Sequence, residues 1–319
     1  MTSTPNKVQL SSWLTPLEPQ PRLAKALGLN ADDLWIKRDD LTGLAGGGNK
    51  IRKLEYTCAD ALRQGATTLV TVGAAQSNHA RLTAAAAARL GLDVVLVLAG
   101  HPPVEYTGNI ALNGLLGARL IWAGDVDDHA LEARAREEVA ALAQAGITAA
   151  LIPFGGSNRI AAFGYVDCGE EIKIQAPDFK HLFTAIGSGG TMAGLVYALG
   201  AERIHGVDAG AVNDPEQRVR GLLSEMSEQD YIESLSIRRD QVGAGYSHLT
   251  EAVEEVLDLV ATHAGIILDP IYTGRAFAGL IAAVREGSIQ AGEKTIFLHS
   301  GGLPGFFGNP DILRYTQKS

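Results

Sequence analysis

Four short runs carry apolar or β-branched residues at nearly every position. They are Thr68-Leu-Val-Thr-Val-Gly73, Val94-Val-Leu-Val-Leu-Ala-Gly100, Leu182-Phe-Thr-Ala-Ile-Gly187 and Thr295-Ile-Phe-Leu-His299. A strand with no polar face has nothing to offer water, so such runs suit strands covered on both sides, as in parallel sheets. Helix-like stretches lie between and beyond them: His79 to Leu90, His129 to Ala145, Thr250 to His263 and Gly274 to Glu286. Strands alternating with helices of this size predict a parallel α/β architecture with helices on both faces. In such sheets ligands bind beyond the carboxyl ends of the strands, where the glycine-rich turns of this chain fall.

Composition narrows the partners. With 27 basic and 36 acidic side chains the formal charge is −9, and a chain without a basic footprint is a poor match for nucleic acid or an anionic membrane. No apolar run approaches the roughly 20 residues needed to span a bilayer. Met1 to Leu10 lacks the layout of a secretory signal, so a soluble, cytoplasmic protein is expected. Cys58 and Cys168 are the only cysteines, too few for a disulfide framework or a cysteine-built metal site. The length of 319 residues allows one large domain or two moderate ones. No repeat, low-complexity linker or long charge run divides the chain.

Three glycine-rich turns carry the chemistry. The first is Gly46-Gly47-Gly48-Asn49-Lys50. A lysine where a helix begins meets the positive end of the helix dipole, a cost that makes sense if Lys50 must lose its charge, as in a Schiff base with a carbonyl. Taken alone, the turn reads first as a flexible surface loop with a solvated lysine. It is not a P-loop, because no Ser or Thr follows the lysine. The second turn, Gly73-Ala-Ala-Gln-Ser-Asn-His79, places four polar residues in succession at a helix start. One N-cap needs only one of them, and the excess favours an anion or carboxylate site. The third, Gly187-Ser188-Gly189-Gly190-Thr191, joins a strand to a helix. Its successive N–H groups suit a phosphate nest, with a plain turn as the alternative.

Together and in this order the three turns resemble the pyridoxal-phosphate enzymes of the tryptophan synthase β (fold type II) superfamily. Within it the chain is similar to the D-cysteine desulfhydrase and 1-aminocyclopropane-1-carboxylate deaminase family. The likeness includes Trp35-Ile-Lys-Arg-Asp-Asp40, Gly47-Gly-Asn-Lys-Ile-Arg-Lys-Leu-Glu55, Phe154-Gly-Gly-Ser-Asn158, Leu268-Asp-Pro-Ile-Tyr-Thr-Gly274 and His299-Ser-Gly-Gly302. The resemblance implies that Lys50 holds pyridoxal 5'-phosphate and moves protons at the substrate Cα. Asn78 lies beside the phenolic oxygen of the cofactor. Ser77, with Gln76, Asn78 and His79, receives the substrate carboxylate. Gly187, Ser188, Gly189, Gly190 and Thr191 cradle the phosphate, with Asn49 nearby, and Tyr246 and Tyr272 act on the substrate or its leaving group.

Two positions choose within the family. The cyclopropane deaminases carry Glu at the position of Thr273 and Leu at that of Ser300. Neutral hydroxyls beside the cofactor ring match the desulfhydrases and suit β-elimination. The expected activity is therefore that of a lyase or deaminase removing a β-substituent from a small, D-cysteine-like amino acid to give a keto acid, ammonia and the leaving group. The alternatives are a cysteate sulfo-lyase or other anionic-substrate lyase, 1-aminocyclopropane-1-carboxylate deaminase, a racemase, a β-replacement enzyme or a non-catalytic ligand-binding homologue. Arg159 departs from the family pattern. It reads as a surface arginine near a helix start, or else as recognition of a second anionic group on the substrate. His248 departs likewise, as a helix-entry histidine or a group facing the substrate. Asp39-Asp40 and Asp125, Asp127 and Asp128 lack helpful ligand spacing, and no metal is expected.

By the same resemblance the chain forms two parallel-sheet, three-layer α/β domains with the smaller inserted in the larger. A large domain of residues 1–52 and 161–319 binds the cofactor, and a small domain of 53–160 binds the substrate carboxylate, with the cofactor between them. A homodimer is also implied.

Overall fold

The computed structural model describes residues 5–227 and 235–317. Its strands are β1 (Leu17–Pro19), β2 (Leu34–Lys37), β3 (Thr68–Gly73), β4 (Asp93–Leu98), β5 (Arg119–Trp122), β6 (Ala149–Ile152), β7 (His181–Ile186), β8 (Ile204–Asp208), β9 (Ser236–Arg238) and β10 (Thr295–Leu298). In the first half of the chain the helices are α1 (Pro21–Ala26), α2 (Lys50–Arg63), α3 (Asn78–Leu90), α4 (Gly108–Leu115), α5 (Asp128–Gln144) and α6 (Arg159–Gln175). In the second half they are α7 (Gly190–Leu199), α8 (Pro215–Met226), α9 (Glu251–Ala264), α10 (Thr273–Arg285), α11 (Leu303–Phe307) and α12 (Pro310–Tyr315).

Two sheets form. The larger runs β1-β2-β10-β7-β8-β9 and the smaller β5-β4-β3-β6. Of the strand-to-strand pairings described, the edge pair β1–β2 alone is antiparallel, and an isolated antiparallel bridge joins Gly100 and Gly124. The four apolar runs of the sequence are β3, β4, β7 and β10, with β10 stopping at Leu298, one residue short of the run. Each strand divides its side chains between two cores because its period is two. On β7, Phe183 joins the cluster beneath α9 and α10, whereas Leu182 and Ile186 join that beneath α6 and α7. On β3, Leu69 packs with α2 and α3, whereas Val70 and Val72 pack against α5. Helices therefore cover both faces of both sheets.

Helix α2 sits where the two sheets meet. One side of it packs on α3 through Ile51, Leu54 and Cys58; the other meets α6 through Tyr56 and Phe163. A buried ion cluster anchors its first turn. Arg52 donates to Asp39 Oδ2 at 2.8 Å and to Glu171 Oε1 at 2.8 Å, and Lys37 Nζ to Glu171 Oε2 at 2.6 Å. Asp39 is thereby committed to Arg52, Thr15 and Tyr165, and Asp40 to Arg38, which accounts for the Asp39-Asp40 pair as ion-pairing structure. Asp127 caps α5 through the Ala130 N–H. Among the described residues no helix is long and apolar enough to cross a membrane.

Candidate active site

The carboxyl ends of β3, β6, β7, β8 and β10 face one cavity of about 280 Å³, and the lysine turn closes one side of it. That turn is docked by backbone contacts. The Asn49 N–H donates to the Ser300 carbonyl at 2.9 Å. Gly48 and Gly301 come so close that a Cβ on Gly301 would lie 2.7 Å from the Gly48 Cα, so no other residue fits at that contact. Helix α2 begins at Lys50, which lines the cavity. Burial lowers its pKa to about 8.

One helical turn on, Lys53 lies on the same face of α2 and lines the same cavity. It is 1% exposed. Its Nζ donates to the Gly155 carbonyl at 3.1 Å and to Ser157 Oγ at 2.9 Å. Burial first, and then the neighbouring Lys50, hold its pKa well below the ordinary lysine value. Ser157 Oγ shares a hydrogen bond of 2.7 Å with Ser188 Oγ. Gly189, at φ +83°, turns the chain into α7, and Asn49 Nδ2 donates to Thr191 Oγ1 at 3.1 Å. Behind this cradle Arg218 reaches the Ser188 and Ser157 carbonyls.

The cradle thus gathers two lysines, three hydroxyls and the amino end of a helix. Neither lysine forms an ion pair among the described residues. Two buried lysines that no carboxylate pairs, with only the field of Asp269 reaching Lys50, fit a site built for an anion, and a phosphate dianion matches these donors.

Opposite stands the polar turn. Ser77 caps α3, its Oγ accepting from the Ala80 N–H at 3.1 Å. The Asn78 Oδ1 accepts from Asn109 Nδ2 at 3.1 Å. His79 is buried against Thr71, and its pKa is pushed well below the ordinary value by burial and the two lysines, so it is neutral. Ser77, Asn78 and His79 line the cavity; the Gln76 side chain is turned to the start of α4, accepting from the Asn109 N–H and donating to the Thr107 carbonyl. Gln76 lines an adjoining recess that shares Asn78, Tyr246, Asp269 and Tyr272 with the main cavity.

On the side of α10, Tyr246 and Tyr272 share a hydrogen bond of 2.6 Å between hydroxyls. Burial raises both phenols above their ordinary range, so both are protonated at neutral pH. Asp269 accepts from the N–H groups of Ile271, Tyr272 and Thr273 and from Thr273 Oγ1 at 2.7 Å.

The expected residues thus divide. Lys50, Asn49, Ser77, Asn78, His79, Gly187, Ser188, Gly189, Thr191, Tyr246, Tyr272 and Ser300 line the cavity. Gly190 lies just behind its wall, where a Cβ would meet Ser157 Oγ at 2.5 Å. Thr273 is fully buried and spends its hydroxyl on Asp269 outside the wall. Arg159 opens α6 and does not line the cavity, and His248 is exposed and outside it. The cation standing near the phosphate-type cradle is instead Arg218. Lys53, Ser157, Arg218 and Asp269 were not singled out from the sequence. Lys53 had a signal in the Lys50-Ile-Arg-Lys53 spacing, which puts both lysines on one helix face.

The family described as pyridoxal-phosphate dependent enzyme matches residues 8–301. A putative 1-aminocyclopropane-1-carboxylate deaminase of Pyrococcus furiosus is 38% identical over 319 residues, covering 96% of this chain and 95% of that protein. A D-cysteine desulfhydrase of Serratia proteamaculans is 36% identical, covering 94% of this chain and 95% of that protein. A crystal structure described as an ACC deaminase homologue superposes with a TM-score of 0.88 at 38% identity, over 98% of this chain and 96% of that one. The processed form of threonine deaminase isoform 2 from Solanum lycopersicum, at 19% identity, shares the fold with a TM-score of 0.66 over 92% of this chain and 80% of its own.

Proposed function

The chain belongs to the pyridoxal-phosphate dependent enzymes, and within them we propose that it eliminates a β-substituent from a small, D-cysteine-like amino acid. The products are a keto acid, ammonia and the departing group. One observation carries the reading: a pair of buried lysines in no ion pair among the described residues and a carboxylate-type helix start line a single cavity. The choice of elimination rests on the neutral side chain of Ser300, which lines the cavity, and on the absence of a carboxylate at Thr273, which lies behind the wall on Asp269. Relatives named for either activity are about equally similar, so identity does not decide it.

Lys50 would hold the cofactor through its ε-amino group. Lys53, Ser157, Ser188, Thr191 and the N–H groups opening α7 would hold the phosphate, with Arg218 behind, and Asn78 would face the phenolic oxygen. When bound, pyridoxal phosphate supplies an electron sink for charge developing at the substrate Cα. The Lys50 amine, lowered to about 8, is suited to accept the Cα proton near neutral pH. Ser77 Oγ and the free N–H groups of the α3 start orient the substrate carboxylate. The protonated Tyr246–Tyr272 pair holds a proton for the leaving group.

The same proposal includes a large unit of residues 1–52 and 161–319, a small unit of 53–160 that closes on the substrate, a homodimer and a cytoplasmic location. Strands of the larger sheet fall at 17–37 and 181–298 and those of the smaller at 68–152, in keeping with that division. The test is keto acid and ammonia release by cofactor-loaded protein from D-cysteine, β-chloroalanine, cysteate and 1-aminocyclopropane-1-carboxylate. Release from the β-substituted compounds, abolished by Lys50→Ala, is expected. Release from the cyclopropane alone, or from none, overturns the proposal.

A further inference from the structure

Arg81 is fully buried on α3, one turn beyond the Ser77-Asn78 helix start. Its hydrogen-bond partners among the described residues are all uncharged. Its Nε donates to Asn109 Oδ1 at 2.8 Å, Nη1 to the carbonyls of Ala45 at 2.5 Å and Gly47 at 3.1 Å, and Nη2 to Asn78 Oδ1 at 3.4 Å. No carboxylate among the described residues pairs with it. Arg52, equally deep, is balanced by Asp39 and Glu171. Burial lowers the Arg81 pKa only to about 10, so the guanidinium is charged at neutral pH.

The fork joins three segments: the lysine turn at Ala45 and Gly47, the helix start at Asn78, and the beginning of α4 at Asn109. Ala45 adopts the left-handed conformation (φ 44°) that non-glycine residues avoid, and its carbonyl is one that Arg81 takes up. Asn109 also donates to the Gln76 carbonyl and to Asn78 Oδ1. Arg81 itself does not line the cavity, so it acts only through these neighbours and through its field. An unbalanced buried cation raises the potential around it, in the same sense as the amino end of α3. That helix start lines the cavity through Ser77, Asn78 and His79.

We infer that Arg81 is a positioning residue of the substrate-carboxylate site, and that its unbalanced charge makes the start of α3 prefer an anion to a neutral group. This rests on the proposed function, in which that helix start receives the substrate carboxylate. A neutral replacement removes the preference, whereas lysine keeps the charge and most of the preference while losing the fork.

D-alanine and ethylamine differ only by the carboxylate, and neither has a leaving group. Both are titrated against the visible absorption band of the cofactor-loaded protein, and the ratio of their dissociation constants gives the anion preference. Arg81→Met is expected to reduce that ratio about 10- to 100-fold, through D-alanine, with ethylamine changed less than about 2-fold. Arg81→Lys is expected to stay within about 3-fold of the unaltered protein. Asn109→Asp sets a carboxylate against the Arg81 Nε and is expected to reduce the ratio while leaving the guanidinium in place, so it carries the test if Arg81→Met does not fold. An unchanged ratio in Asn109→Asp and Arg81→Met, or equal weakening of both ligands, overturns the inference and leaves Arg81 as scaffold. An unaltered protein whose band responds to neither amine overturns the functional proposal beneath it instead.

Discussion

Replacing Lys53 by methionine separates what the polypeptide needs from what the cofactor needs. Lys53 is 1% exposed, and its hydrogen-bond partners are a carbonyl, a hydroxyl and the Lys50 amine, none of them anionic. Without cofactor its ammonium is either charged and unpaired or neutral, and an ill-satisfied buried polar group costs about 1–3 kcal/mol. Methionine matches the stem and removes that cost, so the cofactor-free variant is expected to be more stable than the unaltered protein. Each kcal/mol corresponds to a rise in Tm of about 2 °C for a chain this large. The sign with pH follows from the lowered pKa. Between the folded value and the ordinary value near 10.4 the unfolded chain binds more protons. Stability of the cofactor-free protein therefore rises with pH through that window, and Lys53→Met flattens the rise, leaving the part due to Lys50. With cofactor the effect reverses. Loss of a charge-assisted hydrogen bond to phosphate, about 1.5–3 kcal/mol, weakens pyridoxal phosphate binding about 10- to 150-fold. The assays are thermal unfolding after removal of the cofactor with hydroxylamine, and titration with pyridoxal phosphate followed by its visible band. A variant less stable without cofactor that binds it as tightly as before refutes the reasoning.

Tyr272→Phe breaks the shared hydroxyl bond with Tyr246 and is expected to lower kcat at least about 100-fold with little change in KM, measured on β-chloroalanine. Because burial raises both phenols, neither contributes an ionisation to the kcat profile between about pH 6 and 9, and a limb lost in Tyr272→Phe would contradict this. Thr273→Glu would press a second buried carboxylate on Asp269, so the single change is expected to destabilise the protein without conferring cyclopropane ring opening; thermal unfolding and keto acid release check both halves. Arg52→Leu strands Asp39 and leaves Glu171 with Lys37 as its ion-pair partner, and is expected to cost about 3–5 kcal/mol in denaturant unfolding at pH 7. Burial opposes the charge of both carboxylates, but Arg52, aided by Lys37 and at Asp39 by the Tyr165 hydroxyl, outweighs it and holds their pKa values low. Their contribution is therefore present above about pH 4 and lost as pH falls through the lowered values, a dependence that Arg52→Leu should blunt.

Where local sequence dictates structure, the chain is legible. β3, β4, β7 and β10 are continuous apolar runs, and α3, α5, α9 and α10 begin within one residue of the stretches read from their pattern. β8 and β2 were not, for reasons their residues show. β8 contains His205 and Gly206 within five residues, and β2 ends in Lys37, an apparent surface residue whose ammonium is buried on Glu171. The site divides along the same line. Each glycine-rich turn could be read because a strand end, a polar succession and a helix start are neighbours in sequence. Lys53 could not be assigned, because its partners Ser157 and Gly155 lie about a hundred residues away and only the docking of α2 against α6 brings them to it. Arg159 and Arg218 make the same point. Arg159 adjoins the Gly-Gly-Ser-Asn motif in sequence yet does not line the cavity, whereas Arg218, some sixty residues on, reaches the Ser157 carbonyl at 3.4 Å. A side chain next to a motif shares its backbone direction but not its destination, and in a parallel sheet each crossover sends the next helix to a place set by strand order. Chemistry carried by the turns is therefore written locally, while the charges that tune it, Lys53, Arg81 and Arg218, are supplied by helices whose positions depend on the whole fold.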